Sequence, residues 1–134
     1  MPVTYRVFPE QQLVHVTMTG PLDVELLAAF VQQLSEDPAA PASFDELVDL
    51  REVTTIDVTS GQVQTLASAA HYREGSRRAL VVTEGLAFGL ARQYGLMSQT
   101  PGEPHAAMTV HTEIADALSA LDLPDDWAPR CVRW

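Results

Sequence analysis

The clearest alternation in the chain runs Leu13-Val14-His15-Val16-Thr17-Met18-Thr19. Leu13, His15, Thr17 and Thr19 share one face, and Val14, Val16 and Met18 share the other. A period of two marks a strand with one buried side. It also places His15 on the more polar face, as a surface or packing residue. Thr4 to Phe8 reads as a second short strand, and Glu10-Gln11-Gln12 as the turn between them, so the chain opens with a hairpin. Gly20-Pro21 is expected to end the second strand, because proline fixes φ and has no N–H for the ladder.

The period then lengthens. Leu27, Phe30, Val31 and Leu34 recur at helical spacing against Glu25, Gln32, Gln33 and Glu36, which predicts a helix from about Leu22 to Glu36. Asp37 to Ser43 is a proline-punctuated loop. Strands follow over Glu46 to Val53, Ala79 to Val82 and Ala107 to Val110. Helices are expected over about Thr59 to Glu74, Ala87 to Ser98 and Glu113 to Leu121. The order is ββαβαβαβα. Strands separated by helices pair in parallel, and the opening hairpin adds an antiparallel edge. The expected fold is α/β: a single domain with a mixed four- or five-stranded sheet, an N-terminal hairpin and about four helices, mostly on one face.

Composition narrows this further. A chain of 134 residues with 46% hydrophobic and 19% charged residues is globular and of single-domain size. All eight cationic residues are arginine. The absence of lysine excludes Schiff-base chemistry and a P-loop, which need an ε-amine. A net charge of −10 argues against nucleic acid as a partner. Cys131 is the single cysteine and has no internal disulfide partner. Met1 to Arg6 has no charged-then-apolar leader pattern, and no apolar run approaches the roughly 20 residues of a membrane span. A soluble cytoplasmic protein is the expectation.

Two segments bear on function. Gly20-Pro21-Leu22-Asp23 follows an alternating strand and opens a helix. Val48-Asp49-Leu50-Arg51-Glu52-Val53-Thr54-Thr55-Ile56-Asp57-Val58-Thr59-Ser60-Gly61 reads as strand, loop and helix start. Together they resemble the STAS domain of bacterial anti-sigma-factor antagonists, with its G-x-L-D helix start and D-L-x-x-V-x-x-I-D-S-[ST]-G loop. Arg78 to Val82, Phe88 to Tyr94 and Val110 to Leu118 are similar to one largely uncharacterised branch, the STAS-like, sporulation-antagonist-like or SEC14-like group. The resemblance covers residues 4 to 123. It implies a Ser or Thr at the helix start whose phosphorylation switches partner binding. Asp57 and Gly61 match the motif, whereas Val58 stands where a hydroxyl residue follows the aspartate, and one residue is inserted before the glycine. Thr59 or Ser60 is the candidate switch. The plainer reading, and the preferred one, is a helix cap.

Other constellations are weaker. Asp57, Ser60 and His71 have the residue types of a hydrolase triad, but His71 lies roughly 16 Å along one helix from Ser60 at 1.5 Å per residue, beyond Ser–His contact. The four histidines show no metal-type spacing, so neither metal nor cofactor is implied. Residues 71–110 balance at +1, while residues 1–70 carry −8 and residues 111–134 carry −3. Arg73, Arg77, Arg78 and Arg92 in that basic stretch are candidates for an anion or partner contact, with complementing a helix C-terminus as the plainer role. The apolar series around Phe88 and Tyr94 packs the core or lines a cavity or interface. Trp127 and Trp134 both sit in a C-terminal tail that is expected to pack on the body or on a second copy. The expectation is a non-enzymatic STAS-like module working through contact with an unidentified protein partner, with a homodimer as a candidate assembly. The alternative is a domain that binds a small apolar ligand or lipid.

Overall fold

The computed structural model describes residues 2–41, 43–59, 61–62, 77–85, 107–124 and 126–127. Strands β1 (Val3–Phe8) and β2 (Leu13–Asp23) form the hairpin. Its turn is closed by Gln11 N–H to the Phe8 carbonyl and Gln12 N–H to the Pro9 carbonyl. Helix α1 (Val24–Glu36) leads to β3 (Asp45–Asp57), then come β4 (Arg77–Val81), β5 (Ala107–His111) and helix α2 (Ile114–Ala120). The five strands lie in chain order, β1 antiparallel to β2 and every later pair parallel.

Two strands outrun their sequence patterns. β2 does not stop at Gly20-Pro21 but continues to Asp23, shifting its register on β3 between Thr17 and Thr19 and again between Gly20 and Pro21. Gly20 takes φ +73°, a backbone that L side chains rarely adopt. β1 begins beside Met18, with one further bond from Thr19 N–H to the Pro2 carbonyl, so beyond this point β2 has no β1 partner on that flank. A strand without a neighbour on one side can take a proline. α1 therefore starts at Val24, with Asp23 as its cap, two residues later than periodicity suggests. β3 pairs along this longer β2 and extends to Asp57.

Both faces of the sheet are covered. Val14, Val16, Met18, Val48 and Leu50 pack with Phe30 and with Leu27, Val31 and Leu34 of α1. Tyr5 meets Phe30 edge-on at 6.0 Å between ring centroids. Leu13, Leu47, Ala79 and Val81 pack on the opposite face with Ala117, Leu118 and Leu121 from α2 and the residue that follows it, and Phe8 meets Trp127 edge-on at 5.5 Å. The described helices thus divide between the faces, which accounts for consecutive burial along Leu13-Val14-His15-Val16 and Glu46 to Leu50. Of the four expected helices, α1 and α2 are described. Those expected over 59–74 and 87–98 lie almost wholly outside the described residues, although residues 61–62 and 84–85 are helical.

α2 ends in a Schellman motif. Asp122 takes a left-handed φ of 56°, its N–H bonds the Ser119 carbonyl, and Leu123 N–H bonds the Leu118 carbonyl.

Candidate functional site

The loops that leave the carboxyl ends of β2 and β3 lie side by side, because the register pairs Asp23 with Asp57. Both side chains are exposed. Asp23 Oδ1 accepts the Leu26 N–H at 2.9 Å, filling one of the donors that a helix start leaves open. Past Asp57, Val58 is buried and anchors the loop, and Thr59 turns outward. Gln62 N–H donates to Thr59 Oγ1 at 3.1 Å, and Thr59 N–H donates to Gln62 Oε1 at 2.9 Å. This reciprocal pair is a capping box, with Thr59 as the cap. A Cβ on Gly61 would sit 3.9 Å from Thr59 Oγ1, an ordinary contact, so nothing in that contact requires glycine there. Ser60 lies outside the described residues.

Of the four arginines singled out, Arg77 and Arg78 are described, and they point to opposite faces. Arg77 donates to Asp45 Oδ2 at 2.8 Å, to Asp122 Oδ2 at 2.7 Å, and to the carbonyls of Ala120 and Leu121 at 3.2 and 3.1 Å. Its backbone N–H reaches Asp45 Oδ1 at 2.8 Å. It therefore ties the C-terminus of α2 to the start of β3 and β4. Arg78 Nε lies 3.0 Å from Glu46 Oε2, a carboxylate almost fully buried on the α1 face. Arg73 and Arg92 lie outside the described residues, as do Phe88 and Tyr94.

A polar cluster on the α2 face has no counterpart among the sequence candidates. His15 is 2% exposed and Asp49 7%. Arg51 grips Asp49 with two side-chain bonds, Nε to Oδ1 at 3.0 Å and Nη2 to Oδ2 at 2.8 Å, and adds its backbone N–H at 3.0 Å. Arg6 is the antiparallel register partner of His15. Burial lowers the His15 imidazole below its ordinary pKa; the Asp49 carboxylate opposes this, while Arg51 and Arg6 add to it. Burial alone pushes the Asp49 carboxyl up, but the Arg51 bonds outweigh burial and hold it below the usual carboxylate range. The available signals were the Asp49-x-Arg51 spacing, which puts both on one strand face, and the lone histidine in an alternating strand. For the capping box it was Thr-x-x-Gln at 59–62.

A shallow cleft of about 480 Å³ lies at the other end of the sheet, lined by Tyr5, Ala29, Gln32, Gln33, Glu36, Asp37 and Pro38. Tyr5 Oη donates to Asp37 Oδ2 at 2.6 Å within it. Among the described residues no group of three or more His, Cys, Asp or Glu could hold a metal ion, and no helix is long and apolar enough to cross a membrane.

No family model and no curated protein matches the chain. Among solved structures it is similar to an uncharacterised protein of the DUF3478 family, with a SpoIIAA-like fold, from Shewanella loihica PV-4. The TM-score is 0.54 at 16% identity, over 89% of this chain and 93% of that one. The chain thus has a SpoIIAA-like, STAS-like fold.

Proposed function

We propose that the chain is a non-enzymatic binding module that works through protein–protein contact at the carboxyl rim of its sheet, with Thr59 as a phosphorylation switch. The observation that carries this reading is the exposed Thr59 hydroxyl, held at a helix start beside Asp57. In open α/β sheets, ligands meet the loops beyond the carboxyl ends of the strands. A phosphoryl group on Thr59 Oγ1 adds a charge of about −1.5 to −2 and three acceptor oxygens. Helix N–H groups satisfy such oxygens, whereas the Gln62 side chain loses its place in the capping box. The rim then changes from two neighbouring carboxylates to a markedly more anionic surface, which reorders preferences among charged partners.

Size-exclusion of gentle lysates from the chain's own cells tests this reading. The wild type and Thr59→Ala are expected to elute in a complex heavier than the purified chain, and Thr59→Glu to change its share. Elution of the wild type at the mass of the purified chain contradicts partner binding. Identical profiles for all three contradict the switch.

A further inference from the structure

We propose that the open edge of β1 is a docking site for an extended basic segment of a partner protein, which joins the sheet as a further strand and sets an Arg or Lys side chain in the cleft beside Tyr5 and Asp37. The backbone carries the first part of the argument. Thr19 N–H bonds the Pro2 carbonyl, and bonded pairs recur at every second residue of an antiparallel ladder, so Thr4, Arg6 and Phe8 direct their backbone groups to β2. Val3, Tyr5 and Val7 direct theirs away from it. Among the described residues no other strand or loop bonds the N–H and C=O groups of these three. Sheet edges are ordinarily blunted by a bulge, an internal proline or a lysine. β1 has none of these: its register on β2 is unbroken, Pro2 and Pro9 flank the strand without interrupting it, and Arg6 is its one charge.

The side chains decide the occupant. Val3, Tyr5 and Val7 pack toward α1, where the cleft is lined by Tyr5, Gln32, Gln33, Glu36 and Asp37 among others. A strand added at the edge places alternate side chains on this same face. The cleft lining holds the carboxylates of Glu36 and Asp37 and no cation. Arg6 alternates with Tyr5 and so belongs to the opposite face. Asp37 is already fixed in place, accepting from Tyr5 Oη at 2.6 Å and from the Ala39 N–H at 2.9 Å. A guanidinium or ammonium entering the cleft therefore meets acceptors that need little reordering. A second copy of the chain fits worse. Antiparallel self-pairing centred on Tyr5 brings two Tyr5–Asp37 pairs to one seam, carboxylate beside carboxylate, in chains that each carry −10.

Two capped, dye-labelled heptapeptides provide the test: Thr-Val-Thr-Arg-Thr-Val-Thr, and the same peptide with Glu for Arg. Fluorescence anisotropy with the full chain at low salt is expected to show the Arg peptide binding about tenfold tighter or more, a difference that shrinks as salt rises. Glu36→Lys, at an exposed position of α1, should abolish or reverse the preference. Residue-resolved hydrogen exchange locates the peptide. At a peptide concentration about ten times its Kd, protection of the Val3, Tyr5 and Val7 amides should rise about tenfold, while Thr4 and Arg6, already bonded to β2, change little. No binding of the Arg peptide at about 1 mM, equal affinity for the two peptides, an unchanged preference in Glu36→Lys, or protection gained elsewhere than at those three amides overturns the proposal. Protection of the same amides that rises with chain concentration in the absence of peptide overturns it in favour of a second copy.

Discussion

The two ends of the parallel sheet are built differently. At the end where β3 and β4 begin, Arg77 and Arg78 are both engaged with carboxylates of β3, and Arg77 also closes the C-terminus of α2. At the carboxyl end, the described polar side chains that leave β2 and β3 are exposed helix caps, Asp23 and Thr59. One end spends its charge on holding elements together. The other holds its hydroxyl and carboxylates toward solvent while capping two helix starts. The difference separates fastening from presentation, and substitutions at the two ends should separate in the same way.

The largest expected effect is at Arg78. Arg78→Ala removes one ion-pair partner of a carboxylate only 2% exposed, and stability in urea unfolding should fall by about 3 kcal/mol. Replacing both members of the pair with apolar residues of similar volume should recover most of that loss. Arg77→Ala comes next, at about 2 kcal/mol, because charged hydrogen bonds to α2 and β3 are lost from a partly exposed side chain. A cost below about 0.5 kcal/mol for both variants, the level of an ordinary surface change, would erase the contrast between the ends.

Caps should cost less. Thr59→Ala and Asp23→Ala each remove one helix-start acceptor, worth about 1 kcal/mol in thermal or urea unfolding. The smallest effect concerns Tyr5, whose phenol is pushed up to about 12 by its hydrogen bond to Asp37, with burial and the Asp37 charge adding to it. The folded value lies above the ordinary 10.0. The stability this bond contributes is therefore complete below that value and is lost as pH rises toward about 12. Tyr5→Phe should lack this alkaline loss in a pH series of unfolding midpoints.

Much of the fold was legible because it rests on local period. Alternation over residues 13–19 and the Leu27, Phe30, Val31, Leu34 series identify β2 and α1 from neighbouring residues alone. Gly20-Pro21 misled for a tertiary reason: proline is tolerated there because β1 no longer flanks β2. His15 sits on the more polar face of the alternation, yet it is buried because β2 is an interior strand of a sheet covered on both faces. The arginines show the same limit. Arg77 meets Asp45 and Asp122, 32 and 45 residues away in sequence, and no local pattern announces such pairing. The Thr59 cap was legible as a hydroxyl before a helix, while its reciprocal partner Gln62 needed only the Thr-x-x-Gln spacing to be noticed.

We propose above that the carboxyl rim works through Thr59. Peptide mass spectrometry of the chain purified from its own cells across growth conditions tests it most directly. A phosphoryl group on Thr59 is expected in at least one condition, in a fraction that tracks loss of the heavier complex. Full coverage of residues 58–62 with no phosphoryl group in any condition would contradict it.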